Sequence, residues 1–210
     1  MDTAVSIVES YLRVNGYFTI AEYPIVEEMR GDQHRSLTDI DILAFRFPLV
    51  GATRVRAGRR TVDPEQHEPD AALGLGAGAA DMIIGEVKEG GARLNAGARD
   101  PIVLRATLIR FGCCTEDEAD AVVTELLRHG RSSTRAGHQI RIVVFASAGE
   151  ETDAHRFTFV GLGHAVDYLR NHMDQHWSVL RHSQIKDPAL AFLLTLEKAR
   201  RGGNPGGKSA

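Results

Sequence analysis

Two short segments carry charged side chains inside runs that otherwise read as buried strands. In Thr38-Asp39-Ile40-Asp41-Ile42-Leu43-Ala44-Phe45, the two-residue period of a strand puts Asp39, Asp41, Leu43 and Phe45 on one face. In Asp81-Met82-Ile83-Ile84-Gly85-Glu86-Val87-Lys88 it puts Ile84, Glu86 and Lys88 together, with Gly85 and Val87 opposite. A Met-Ile-Ile-Val strand has no structural need of Glu and Lys, and buried charge is costly unless paired or bound to metal. Something must compensate them. Hard divalent cations such as Mg²⁺, with Mn²⁺ as a substitute, choose carboxylate oxygen and keep several waters, so Asp41, Glu86 and the Val87 carbonyl form a candidate ligand set. Lys88 could then orient or deprotonate a water beside the cation, whose charge would lower the amine's pKa. Cleaving a phosphodiester needs an activated water, a neutraliser of developing charge and a shield for the leaving oxygen. These residues could supply such parts.

The elements that must position them follow from periodicity. Ala4, Val5, Val8, Tyr11 and Leu12 recur at helical spacing behind Asp2 or Thr3, and Asn15-Gly16 supplies the stop, which predicts an opening helix over 4–14. From Tyr17 to Val26 the pattern is β-like, and Pro24 implies an edge position or a break between two short segments. Residues 30–36 read as a turn and Thr38–Phe47 as a strand that Pro48 ends. Residues 51–80 follow neither period and are expected as a long, flexible inserted loop. Met82–Lys88 is the next strand, followed by helices near 100–111 and 116–129, the second with Thr115 and Glu118 at capping-box spacing. Gln139–Ala146 reads as a central strand buried on both faces, Phe157–Val160 as a short strand, and 163–181 and 187–201 as helices. The Gly- and Pro-containing tail 202–210 is expected to be disordered. This order predicts one α/β domain over 1–201, a mixed sheet flanked by helices.

Asp41, an insertion and then Glu86-Val87-Lys88 resemble the PD-(D/E)xK superfamily of restriction enzymes, RecB-type nucleases and archaeal Holliday-junction resolvases. The resemblance covers roughly residues 4–90 in motif and extends in element order to about 160. It implies a restriction-endonuclease-like fold and a Mg²⁺-dependent nuclease, chiefly a DNA endonuclease of a defence or repair system. Asp41 and Glu86 would be metal ligands and Lys88 the residue that handles water. The resolvases also place a glutamate on their first helix, and Glu9 in Val8-Glu9-Ser10-Tyr11-Leu12 takes that place here as an auxiliary ligand or base. Partners would be DNA, with a second copy of the chain or a protein of the same system. The sequence departs from the pattern in having Ile40 where the motif proline stands, and in offering Asp39 as a competing aspartate.

The bulk composition neither supports nor opposes nucleic-acid binding, since a formal charge of −3 requires any basic surface to be local. Arg93 and Asn95 beyond the Gly90-Gly91 turn, and Arg54, Arg56, Arg59 and Arg60 in the insertion, are candidates for phosphate contact. His172 and His176 sit at the i, i+4 spacing of helical zinc sites without an intervening glutamate, and packing or polar-face roles suit them better. Adjacent Cys113 and Cys114 argue against a disulfide framework, and no apolar run reaches membrane-span length. A cytoplasmic protein with no membrane association is the expectation. A different class also fits: a catalytically silent nuclease-like fold that binds nucleic acid or protein.

Overall fold

The computed structural model describes residues 2–30, 33–48, 52–56, 61–65, 68–76, 78–91, 94–148 and 156–202. Helix α1 (Thr3–Val14) starts where Asp2 Oδ1 accepts the Ala4 N–H at 2.7 Å, an N-cap that satisfies one of the free amides of a first turn. Strands β1 (Phe18–Glu28) and β2 (His34–Arg46) form an antiparallel hairpin. β1 is a single strand, not two, and it tolerates Pro24 because it is the edge of the sheet, where a missing donor need leave no partner unpaired. β2 begins at His34, inside the stretch that local composition marks as a turn.

Residues 51–80 also depart from expectation. They include a two-stranded hairpin, β3 (Ala52–Arg56) with β4 (Thr61–Glu65), and a 3₁₀ turn at Ala71–Leu73. Leu73 is fully buried, and Asp70 accepts the Tyr11 hydroxyl at 2.7 Å while its own N–H goes to Asn15 Oδ1. The insertion therefore returns to the core and is anchored there.

Strand β5 (Asp81–Gly91) pairs antiparallel with β2 and parallel with β7 (Gln139–Ala148). Helices α2 (Pro101–Arg110) and α3 (Glu116–His129), the latter with the Thr115–Glu118 capping box, make the crossover between those parallel strands. On its other edge β7 carries β6 (Arg131–Ser133), which periodicity did not reveal, and β8 (Thr158–Gly161). The sheet order is β1-β2-β5-β7-β6, with β8 also on β7. The C-terminal helices are α4 (Leu162–Gln175), α5 (Trp177–Leu180) and α6 (Pro188–Gly202), so the helix expected over 163–181 is interrupted at His176. Tail residues 203–210 lie outside the described residues.

Alternation along the strands feeds two cores. Ile42, Ala44, Ile83, Val143 and Phe145 pack with α1, α4 and α6 on one face. Leu43, Met82, Ile84, Ile142 and Val144 pack with α2 and α3 on the other. The result is an α/β fold with a mixed sheet flanked by helices. Gly85 is required where β2 and β5 approach, because a Cβ there would lie 2.2 Å from Ile42 Cγ2 and 3.3 Å from Phe145 Cε2. Ile42 is fully buried and cannot swing away. Gly85→Ala is expected to cost about 1–3 kcal/mol through overpacking, read as a lower thermal midpoint. An unchanged midpoint would show that the strands can part without cost.

Candidate functional site

The registered pairing of β2 with β5 ends at Ile42 opposite Gly85, while β5 stays paired with β7 through Lys88. The charged residues begin one position beyond that end. Asp41 does not continue the ladder with its backbone; its side chain Oδ2 accepts the Val87 N–H at 2.8 Å instead. Because the N–H and C=O of one extended residue leave the same strand edge, the Val87 carbonyl also faces the β2 side. Lys88 Nζ lies 2.5 Å from Glu86 Oε1 and 4.0 Å from Asp41 Oδ2. The structure thus brings Asp41, Glu86, Lys88 and the Val87 backbone to one place, on the face that α2 covers.

Glu86 is 3% exposed, and the Lys88 ammonium faces its Oε1 at 2.5 Å. A carboxylate buried this deeply is costly unless a cation faces it, and here the ammonium does. Burial holds the Glu86 carboxyl above its ordinary pKa, with the Asp41 charge adding to the effect and Lys88 and the Asn95 N–H opposing it. Burial pulls Lys88 the other way, but the hydrogen bond to Glu86 and the charges of Glu86 and Asp41 outweigh it, so the amine is held above its ordinary value. This is opposite to the depressed lysine that a bound cation would produce. In this arrangement the amine itself neutralises the carboxylates. Two carboxylates and a carbonyl match Mg²⁺, which takes one or two protein acids and keeps waters, and no group of three or more His, Cys, Asp or Glu suited to a metal occurs among the described residues.

Glu9 does not join this place. It is buried on α1 against the opposite face of the sheet, where its Oε1 accepts Arg13 Nη2 at 2.7 Å and Thr19 Oγ1 at 2.9 Å. Helical periodicity placed Glu9 at the border of the apolar face but could not report that Arg13, one turn on, would claim it. Asn95 was a candidate for phosphate; its backbone N–H instead supports Glu86, and its Oδ1 accepts the Ala98 N–H at 2.7 Å. Arg93, Arg59 and Arg60 and the side chains of Arg54 and Arg56 lie outside the described residues.

The remaining candidates have structural partners. Asp39 is exposed beside the cluster, on the rim of a narrow cleft with Ile84, Glu86 and Leu94. Asp81, at the start of β5, is buried and receives Arg141 Nε at 2.8 Å and the Tyr17 hydroxyl at 2.6 Å. The rings of His172 and His176 stand 4.5 Å apart on and just beyond α4. Burial pushes the Cys113 thiol up to about 12, that of an inert packing residue. Comparison with models of known protein families, with curated proteins and with solved structures gives no match.

Proposed function

We propose that the chain is a Mg²⁺-dependent nuclease with a restriction-endonuclease-like sheet, hydrolysing phosphodiester bonds in DNA as an endonuclease. The observation that carries this reading is the meeting of Asp41, the buried Glu86 and Lys88 where β2 leaves β5. The antiparallel β1-β2-β5 run followed by a helical crossover to parallel β7 is compatible with the element order that the motif implies. Bound Mg²⁺ would supply positive charge for the phosphate oxygens and make a neighbouring water more acidic. Asp41, Glu86 and the Val87 carbonyl would hold the ion. Lys88, on the same face and held as the ammonium, would orient the attacking water and donate to the negative charge that develops on the phosphate oxygens. Once the carboxylates turn to a cation, their hold on the lysine proton weakens.

Linear, circular, single-stranded and branched DNA, and RNA, incubated with Mg²⁺, Mn²⁺ or EDTA test this directly. Cleavage of DNA that requires Mg²⁺ or Mn²⁺ and is lost in Glu86→Gln is the expected result. The substitution should not destabilise the fold. A carboxyl with a raised folded-state pKa binds more protons folded than unfolded, so its contribution to stability falls as pH rises from the ordinary value through the raised one. At neutral pH Glu86→Gln removes that cost and also the ion pair that holds Lys88 above its ordinary value, so the two effects oppose and the thermal midpoint should stay near the wild type's. Cleavage that persists in EDTA would sink the dependence on a divalent cation, and absence of cleavage with the ion bound would leave the silent binding module.

A further inference from the structure

Helix α6 opens on Pro188-Ala189-Leu190-Ala191-Phe192-Leu193-Leu194-Thr195-Leu196, a run that is apolar almost all round the helix. A helix of that pattern belongs between two surfaces. One of them is present: Ala189, Leu190 and Leu194 are buried where α6 packs on α1 and α4. The far side is open, with Phe192 62% and Leu196 50% exposed. Together with the exposed Thr195 and Ala199 they fall at i, i+3, i+4 and i+7, which makes one stripe along the helix. The Thr195 hydroxyl donates to the Ala191 carbonyl at 2.8 Å, so its polar group is already satisfied and the residue offers the stripe a small neutral surface. Beside the stripe a groove of about 470 Å³ runs between α4 and α6, lined by Asp167, Arg170, Asp174, Leu196, Glu197 and Arg200. Its charges are of both signs, which does not suit the polyanion of a nucleic acid.

We propose that this face is the contact between two copies of the chain, with α6 packed antiparallel on its counterpart about a two-fold axis passing between residues 195 and 196. Size favours this occupant. That axis sets Phe192 against the partner's Ala199 and Leu196 against the partner's Thr195, each large side chain over a small one, as close packing requires. Charge favours it too, because a groove carrying both signs complements itself under a two-fold. The antiparallel direction also places the basic ends of the two helices, Lys198, Arg200 and Arg201, away from each other, where a parallel pair would stack them. The Asp41, Glu86 and Lys88 cluster lies on the other face of the sheet and stays open in such a pair, so the inference does not depend on its chemistry.

An apolar centre of a few side chains predicts a reversible dimer with Kd on the order of 10 µM, which sedimentation equilibrium of the full chain reads from well below to well above that concentration. Leu196→Glu should weaken association at least about tenfold, because each dimer carries the change twice. Ala199→Phe should weaken it by a similar factor, setting ring against ring at both crossings. Phe192→Ala combined with Ala199→Phe should return it to within about threefold of wild type, since the two-fold exchanges the two positions. All three positions are exposed, and thermal melts of the variants check the fold; Phe192→Ser replaces Leu196→Glu if the latter melts early. A chain that stays monomeric throughout, or a dimer that Leu196→Glu leaves unchanged, would overturn the interface. Loss of the dimer in the double variant as well as in Ala199→Phe would overturn the antiparallel register.

Discussion

Lys88→Ala is expected to abolish cleavage, a fall of about 10²–10⁴-fold in turnover with Mg²⁺ and DNA saturating, while cation and DNA binding persist. The amine lies 2.5 Å from Glu86 and 4.0 Å from Asp41, so deleting it removes a competitor for those oxygens, and Mg²⁺ affinity should hold or rise. Asp41→Ala and Glu86→Ala behave differently, because each removes a ligand and weakens ion binding as well as rate. The contrast separates a group acting in the transition state from groups acting in the ground state. The Lys88 side chain is 35% exposed, so its loss leaves no large cavity and the fold should survive. Wild-type turnover in Lys88→Ala would return Glu86-Val87-Lys88 to a strand-end ion pair.

The largest effect on stability is expected at Asp81, about 3–5 kcal/mol lost in Asp81→Ala. Asp81 and Arg141 are 3% and 7% exposed and meet in a two-point pair, Nε to Oδ1 and Nη2 to Oδ2, each 2.8 Å. Arg141 Nη1 also donates to the Leu73 carbonyl, and the Tyr17 hydroxyl donates to Asp81, so one carboxylate joins β5, β7, the segment before β1 and the inserted segment. Removing it leaves a guanidinium buried without its counter-charge. At roughly 2–4 °C per kcal/mol for a chain of this size, the thermal midpoint should fall by on the order of 10 °C. Asp81→Leu combined with Arg141→Met should recover most of the loss, since a buried pair is worth little more than the apolar packing that could replace it. A loss below about 1 kcal/mol by urea unfolding would show that water reaches Arg141.

Asp41, Glu86 and Lys88 were legible in the sequence because strand alternation is local: charges two residues apart leave the same face whatever lies beyond. The helices were legible for a similar reason, since the Asp2 cap and the Thr115–Glu118 box act within one turn. The positive φ of Glu22 and its hydrogen bond to the Asp2 N–H were not legible, because both depend on which residues stand opposite across β1 and β2 and on a contact spanning 20 positions. Glu9 is drawn to other partners for the converse reason. Its partners lie four residues along α1 and across on β1, and burial alone does not tell a ligand from a salt-bridged acid. The 51–80 segment was misjudged because composition reports average polarity, and a single buried Leu73 with one carboxylate at Asp70 suffices to anchor it.

The hairpin of β1 and β2 runs on well past the point where β5 lets go. From Ile42 to the start of β2 at His34 the ribbon spans about 25 Å, and it is held near its base by Ile25 and Ile40 in the α2–α3 core. Asp41 sits next to the last registered pair, and β5 on the other side stays paired with β7 through Lys88. Outward of Ile25 and Ile40 no described residue of either strand is buried, so the outer part of the ribbon is held by its own ladder and not by the core.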